Sequence, residues 1–126
     1  MQQTQQTAAR REYDAASVAR DIVDVAVDKK ANDVTLLHIG MVTTLADFFV
    51  IATGTSERQL NALRSAIQDR MKDSDIHLFH YEGVPSDGWI LLDYGQVIVH
   101  LFAPEQRDYY DLERRWNEAS TLLKIQ

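Results

Sequence analysis

A glycine followed by two hydroxyl residues, Gly54-Thr55-Ser56, joins an apolar stretch to an amphipathic one. Such a corner can bind a phosphate, because a helix start offers free backbone N–H groups and the positive end of its dipole. Enzymes that transfer nucleotides add paired carboxylates that hold two metal ions. Here Asp69 stands alone, and Met71 occupies the place of the second carboxylate. The corner therefore indicates helix capping rather than catalysis.

The other residues that could support catalysis or bind a metal do not form a recognisable set. The chain has no cysteine. His77 and His80 are three apart on a predicted strand, so they point to opposite faces and cannot chelate one ion. Asp93 has no titratable partner at a useful spacing, and no nucleotide-binding glycine loop or nucleophile elbow is present. We predict no enzyme, no metal and no cofactor.

Aromatic and acidic residues are brought together by two segments, 88–95 and 109–116. Alternation along a strand would place Trp89, Leu91 and Asp93 on one face. Tyr110 and Glu113 would form a second pair on a helix. Aromatic side chains bordered by charge are typical of protein interfaces, although the same aromatic residues could equally fill the core.

The net charge of −6 is concentrated in the second half of the chain. Residues 73–118 hold ten acidic residues and three arginines, a charge of −7 with the histidines neutral. This charge disfavours extensive contact with nucleic acid and favours a basic protein partner. On charge alone, a solvated acidic surface without a partner is the more economical interpretation.

The elements that would position these residues can be predicted from hydrophobic spacing. We expect helices over 15–30, from Ser56 to beyond Met71, and from Pro104 to about Trp116. We expect strands over 34–39, 48–52, 76–81, 89–93 and 97–102. The expected buried residues of the three helices are Val18, Ile22, Val25 and Lys29 in the first; Leu60, Leu63, Ile67 and Met71 in the second; and Tyr109, Leu112 and Trp116 in the third.

The order of these elements predicts an α/β fold, a single domain with a mixed sheet of about five strands flanked by helices. Asp14 is expected to cap the first helix, Ser56 and Gln59 to form a capping box on the second, and Asn32 to take a left-handed exit from the first. Residues 1–13 are interpreted as a disordered leader, 14–118 as the domain and 119–126 as a tail. No stretch is apolar for long enough to span a membrane.

Several blocks of the chain resemble the ribosome silencing factor family, also called Iojap-like. The resemblance runs from about Val18 to Trp116, and its longest blocks are residues 46–59, 82–83, 88–95, 97–100 and 109–116. The fold of that family is similar to that of nucleotidyltransferases but lacks their catalytic carboxylates. The lone Asp69 agrees with this.

The resemblance implies a cytoplasmic translation repressor. Family members bind large-subunit ribosomal protein number fourteen, which is basic, and block joining of the small subunit when nutrients are scarce. By this resemblance the partner-binding residues are Trp89, Leu91, Asp93, Tyr94, Val99, Tyr109, Tyr110 and Glu113. Trp89→Ala and Glu113→Lys are expected to abolish binding and leave the fold intact.

Two alternatives remain at this point. The first is a degenerate nucleotidyltransferase-like protein that binds a nucleotide at Gly54–Ser56. The second is a homodimer that pairs through the hairpin, the first helix or an exposed sheet edge.

Overall fold

Six strands form one mixed β-sheet in the computed structural model, which describes residues 15–126. The strands are β1 (Asn32–His38), β2 (Phe48–Thr53), β3 (His80–Glu82), β4 (Trp89–Asp93), β5 (Val97–Phe102) and β6 (Ser120–Ile125). Their order across the sheet is β3-β4-β5-β2-β1-β6. The pair β2–β5 is parallel, and the other neighbouring pairs are antiparallel. The mixed α/β architecture is confirmed, with six strands rather than five.

Two long helices cover one face of this sheet. They are α1 (Ala15–Asp28) and α2 (Glu57–Asp73), and they pack on the inward residues of β1, β2, β4 and β5. The predicted α2 stripe is confirmed, because Leu60, Leu63, Ile67 and Met71 are all buried. Strands β2 and β5 are buried along their whole length, as expected for strands covered on both faces.

The buried face of α1 differs from the predicted stripe. Ile22 is buried as expected, but its neighbours in the core are Ala15, Ala19, Val23 and Ala26. Val18 and Val25 are half-buried, and Lys29 is exposed. The small alanines let the helix lie close to the sheet, so its contact face centres on them. The left-handed exit is at Lys30 (φ 63°), not at Asn32, which begins β1. The capping role of Asp14 and the leader 1–13 lie outside the described residues.

The predicted strand over 76–81 is mostly absent. Only His80–Glu82 pairs with β4. Asp75 takes a left-handed conformation (φ 60°) directly after α2, and the chain then approaches the sheet edge without a ladder partner. Ile76 and Leu78 still pack on the core between the helices and the sheet. Their apolar character therefore reflects burial rather than strand pairing.

The second face of the sheet is covered by a broken helix. A 3₁₀ turn (Pro85–Asp87) precedes β4, and α3 (Pro104–Tyr110) and α4 (Leu112–Arg115) follow β5. The break is at Asp111, which has φ 46° and ends α3. Because of this break, the three residues of the predicted stripe do not share one face. Leu112 is buried and Trp116 packs edge-on against Phe49, but Tyr109 is 82% exposed. The prediction that Tyr109 packs on the sheet is therefore wrong.

The sixth strand comes from residues that the sequence suggested were a tail. β6 runs antiparallel to β1, with Val34 opposite Ile125 and His38 opposite Ser120. All six of its residues are exposed, because neither helix layer reaches this edge of the sheet. Residues 120–125 thus belong to the sheet.

Candidate docking surface

Strand β4 presents one row of side chains to the face that α1 and α2 do not cover. Ile90 and Leu92 are fully buried, whereas Trp89, Leu91 and Asp93 are half-buried. The predicted alternation along this strand is confirmed. Trp89 and Leu91 pack on the smaller core cluster, which includes Phe49, Ile51, Ile98, Phe102 and Leu112. We call the exposed parts of Trp89, Leu91, Asp93 and Tyr110 the β4 surface.

Trp89 lies at the centre of this surface. Its ring is 4.3 Å from that of Tyr110 and 5.1 Å from that of Phe102, measured between centroids. Its indole Nε1–H donates a hydrogen bond to Nδ1 of His100 at 3.2 Å. The ring is thus held between a helix residue and the strand below. Aromatic contacts of this kind add about 0.5–1.5 kcal/mol beyond the area that they bury.

His100 is a buried, uncharged histidine. It is 4% exposed, and burial lowers its pKa from 6.5 to about 4. Because Nδ1 accepts the bond from Trp89, the proton of the neutral ring is on Nε2. That Nε2 is buried and has no hydrogen-bond partner among residues 15–126. A buried donor without a partner costs about 1–3 kcal/mol.

Gly83 brings the preceding loop against the backbone of Trp89. A Cβ at this position would lie 2.0 Å from the Trp89 carbonyl oxygen, and the residue has φ 89°. Both observations require glycine, since any side chain would displace the loop or the strand and the left-handed region disfavours L-residues. The start of β4 is therefore fixed from two sides, by this loop and by Tyr110.

A buried arginine, Arg107, fastens α3 and α4 to the sheet. Its guanidinium donates to Oγ1 of Thr53 at 2.9 Å, to Oγ1 of Thr35 at 3.2 Å and to the carbonyl oxygen of Asp33 at 2.6 Å. It also donates two hydrogen bonds to the carboxylate of Glu113, at 2.9 and 3.1 Å. All three guanidinium nitrogens are used, which offsets the cost of burying the charge.

Arg107 is not among the residues predicted from the sequence. The available signal was a pair of threonines, Thr35 and Thr53, within otherwise apolar strands. Buried hydroxyls need hydrogen-bond partners, and an arginine on the facing helix can supply several. Spacing alone could not show that Arg107 is the residue that reaches them.

Glu113 has a different environment from the one expected. Its carboxylate is paired with Arg107, and its side chain is 34% exposed. It is therefore part of the attachment of α4 rather than a free acidic group. Glu113→Lys would place a second cation beside a buried guanidinium, so we expect this variant to be less stable, in contrast to the intact fold expected from the sequence.

The structure does not bring all of the predicted partner-binding residues together. Val99 is fully buried and Tyr94 is 7% exposed, and both belong to the core beneath α1 and α2. In β5 it is Ile98, His100 and Phe102, the alternate residues, that face the β4 surface. Burial also raises the pKa of Tyr94 to about 12.

Tyr109 is exposed beside Tyr110, with its ring 5.1 Å away and edge-on. Asp93 accepts a hydrogen bond from the Gly95 N–H at 2.7 Å and so also shapes the hairpin turn.

The Gly54–Ser56 corner uses several of its own donors internally. Ser56 Oγ accepts from the Gln59 N–H at 3.0 Å, which confirms the capping role of Ser56. The Gln59 side chain accepts from the Thr55 N–H at 2.8 Å, rather than from Ser56, and donates to the Lys30 carbonyl at 2.9 Å. The Gly54 N–H donates to the Phe102 carbonyl at 2.9 Å. These bonds serve to join α1, α2 and β5.

Two kinds of feature, a metal-binding cluster and a membrane-spanning helix, are absent from the described part of the chain. Among residues 15–126, no three histidine, aspartate or glutamate side chains come close enough together to hold a metal ion. Within the same residues, no helix is long and apolar enough to cross a membrane.

Comparison with known proteins yields consistent matches. A sequence model of the family described as "Ribosomal silencing factor during starvation" matches residues 12–126. The chain is 36% identical to "Ribosomal silencing factor RsfS" of Zymomonas mobilis over 82% of its own length and 78% of that protein's length. It is 31% identical to "Mitochondrial assembly of ribosomal large subunit protein 1" of Mus musculus, over 75% of this chain and 43% of that one.

A solved structure is similar as well. The crystal structure of a Chromobacterium violaceum protein superposes with a TM-score of 0.73 at 33% sequence identity. The match covers 83% of this chain and 85% of the other. The arrangement of strands and helices described above is therefore that of an experimentally determined fold.

Proposed function

The chain belongs to the ribosomal silencing factor family, and on this premise we propose that it docks on the large ribosomal subunit and represses translation without catalysing a reaction. The proposed partner is the basic large-subunit ribosomal protein number fourteen. Docking there would exclude the small subunit sterically when nutrients are limited. The name of the mouse relative, which refers to assembly of the ribosomal large subunit, supports the choice of subunit.

The observation that carries this proposal is the half-buried Trp89 packed against Tyr110 at 4.3 Å. Tryptophan and tyrosine supply a large share of the binding energy at protein interfaces, because they bury much area and lose little conformational freedom. On the β4 surface they are already held in place before a partner arrives. Preorganisation of this kind reduces the entropic cost of association.

Charge supports a basic partner at longer range. Residues 73–118 carry a net charge of −7 with neutral histidines, and the exposed residues Glu105 and Asp108 lie on α3, the helix that also carries Tyr110. The Arg107–Glu113 pair is internally neutralised, so Glu113 adds little to this attraction. Electrostatic complementarity would speed encounter and orient the two proteins, while the aromatic contacts would determine how long the complex lasts.

Steric exclusion needs no chemistry at the interface. An interface of standard size, roughly 1,600 Å² in total, is enough for a stable complex. A bound domain of this size would then occupy space that the small subunit requires. The repressor would act for as long as it stays bound, so its dissociation rate would set the duration of silencing.

Binding of purified large subunits by Trp89→Ala and Tyr110→Ala tests the proposal. We expect each change to weaken co-sedimentation by about 30-fold, corresponding to about 2 kcal/mol for an interface hot spot. Phe79→Ala is the matched control, because Phe79 is 66% exposed but lies outside the β4 surface. Circular dichroism would confirm that all three variants are folded.

A subunit-joining assay completes the test. The unaltered chain and Phe79→Ala should inhibit joining of small and large subunits, and the two β4-surface variants should not. Binding of folded Trp89→Ala and Tyr110→Ala at the affinity of the unaltered chain would exclude the β4 surface as the docking site.

A further inference from the structure

His100 and Trp89 are diagonal neighbours across two paired strands. Trp89 lies opposite Phe102, and Leu91 lies opposite His100. The hydrogen bond from Trp89 Nε1–H to His100 Nδ1 therefore crosses from the start of β4 to the middle of β5. Side chains placed diagonally on one face of a sheet can reach each other when they are long or aromatic. Here the acceptor is on a strand that is buried throughout, so its position is rigid.

Packing alone does not account for an imidazole at position 100. The ring is surrounded by aromatic groups: Phe49 lies edge-on at 4.7 Å, Phe102 is parallel at 6.1 Å and Trp89 is tilted at 6.0 Å. An apolar side chain would fill this space without burying a polar N–H. The imidazole instead leaves Nε2 without a partner among the described residues. The one interaction there that requires its chemistry is the bond accepted from Trp89.

That bond selects one orientation of the indole. A half-buried tryptophan at the edge of a cluster can rotate about its side-chain bonds unless its polar edge is tied. With Nε1–H fixed on His100, the ring lies 4.3 Å from that of Tyr110, measured between centroids. The exposed outline of the β4 surface therefore depends on His100, although His100 itself is too deeply buried to contact a partner.

We propose that His100 is a positioning residue of the docking surface, which holds the Trp89 indole in its binding orientation by accepting its N–H. The inference rests on the proposed function, since it assigns His100 a role in docking through Trp89. His100 would then contribute to binding without contacting the partner itself.

Two substitutions separate the hydrogen bond from packing. His100→Asn keeps an acceptor, because the amide oxygen of asparagine occupies nearly the position of Nδ1. His100→Leu fills the same space with an apolar side chain and removes the acceptor. The first readout is the ¹⁵N-labelled indole N–H signal in the full chain. The chain has two tryptophans, so the Trp89 signal is assigned with Trp89→Phe, and the Trp116 signal serves as the internal reference.

We expect the Trp89 indole N–H of the unaltered chain and of His100→Asn to exchange slowly with solvent. In His100→Leu it should exchange at least tenfold faster, with no change at Trp116. Binding to large subunits should fall about fivefold to tenfold in His100→Leu, the effect of one neutral hydrogen bond, and stay near the unaltered value in His100→Asn.

Three results would overturn the inference: fast exchange of the Trp89 indole in the unaltered chain, unaltered affinity in His100→Leu despite faster exchange, or an equal loss of binding in both variants. The first needs no substitution, so it remains decisive even if a variant fails to fold. Failure of the proposed function would be recognised separately, because the unaltered chain would then not co-sediment with large subunits even though its Trp89 indole N–H still exchanged slowly.

Discussion

Two buried polar side chains, His100 and Arg107, are accommodated in this fold in different ways. The three guanidinium nitrogens of Arg107 donate five hydrogen bonds, two of them to Glu113, and these bonds offset the cost of burying its charge. His100 has one hydrogen bond and is held neutral by burial, with a pKa of about 4. An unpaired charge in the interior is far more costly than an unpaired neutral group. Protonation of His100 would create such an unpaired charge.

The pKa of His100 predicts a loss of stability in mild acid. The folded-state value of about 4 lies below the unfolded value of 6.5, so the unfolded chain takes up the proton first. The contribution to stability is complete above pH 6.5 and is lost as the pH falls toward 4, by about 3 kcal/mol at most. Urea denaturation of the unaltered chain at pH 7 and pH 4.5 would measure this loss.

His100→Leu is the control for the acid effect. It removes the buried titratable ring and leaves His38, His77 and His80, which are present in both proteins. The fall in unfolding free energy between the two pH values should be clearly smaller in this variant. An equal fall in both proteins would show that groups other than His100 cause the acid sensitivity.

At the scale of elements, Arg107 supplies the polar attachment of α3 and α4 to the sheet, beside the apolar packing of Leu112 and Trp116. The bonds of Arg107 reach β1 and β2 from α3, and its pair with Glu113 adds α4. Tyr110 lies between these anchors, immediately before the left-handed Asp111. Arg107 and Tyr110 are three residues apart and lie on the same side of α3, so the contacts of Arg107 help to hold Tyr110 beside Trp89.

Reversal of the charge at Glu113 should loosen this segment. We expect Glu113→Lys to lower the free energy of unfolding by about 2–4 kcal/mol, because a buried guanidinium loses its counter-ion and faces a like charge. Glu118→Lys makes the same charge change at an exposed residue and should cost far less. Urea denaturation of both variants measures the difference. Equal stability of the two would mean that the Arg107–Glu113 pair contributes little.

The sequence predicted those elements whose pattern is local. The α2 stripe and the alternation along β4 follow from spacing within a few turns or residues, so both were found. The break at Asp111 was missed because a pattern that continues through Leu112 and Trp116 does not reveal a single left-handed residue. Arg107 was missed because its partners Thr35 and Thr53 are distant in sequence. The resemblance assigns Val99 and Tyr94 to the docking surface, whereas both are buried in the core beneath α1 and α2.

At the scale of the whole molecule, the two edges of the sheet are unequal. One edge is β3, with three residues, and the other is β6, with six. β6 covers β1, whose Val34, Thr35, Leu36 and Leu37 are nearly inaccessible to solvent. The sequence did not show this strand, because Ser120–Ile125 has no clear alternation and its pairing partner is near the other end of the described chain.

Removal of β6 should lower the stability of the whole domain rather than affect only its last strand. We expect a chain ending at Ala119 to lose several kcal/mol of stability and to aggregate, because the edge of β1 would lose its hydrogen-bond partners. A chain with residues 120–125 replaced by glycine and serine keeps the length and should behave in the same way. Thermal denaturation and light scattering would measure both effects. An unchanged melting temperature in both the shortened chain and the chain with residues 120–125 replaced would show that β6 is dispensable.

The pairing of β1 with β6 also has a consequence for the order of folding. One strand is near the beginning of the described chain and the other near its end, and the central β2–β5 pair is likewise formed from distant segments. Loops of this length must close before the ladders can form, so folding should be slow compared with a helical protein of similar size. During synthesis, β1 must wait for its partner until almost the entire domain has been made. The domain would therefore reach its folded form only after β6 has been synthesised.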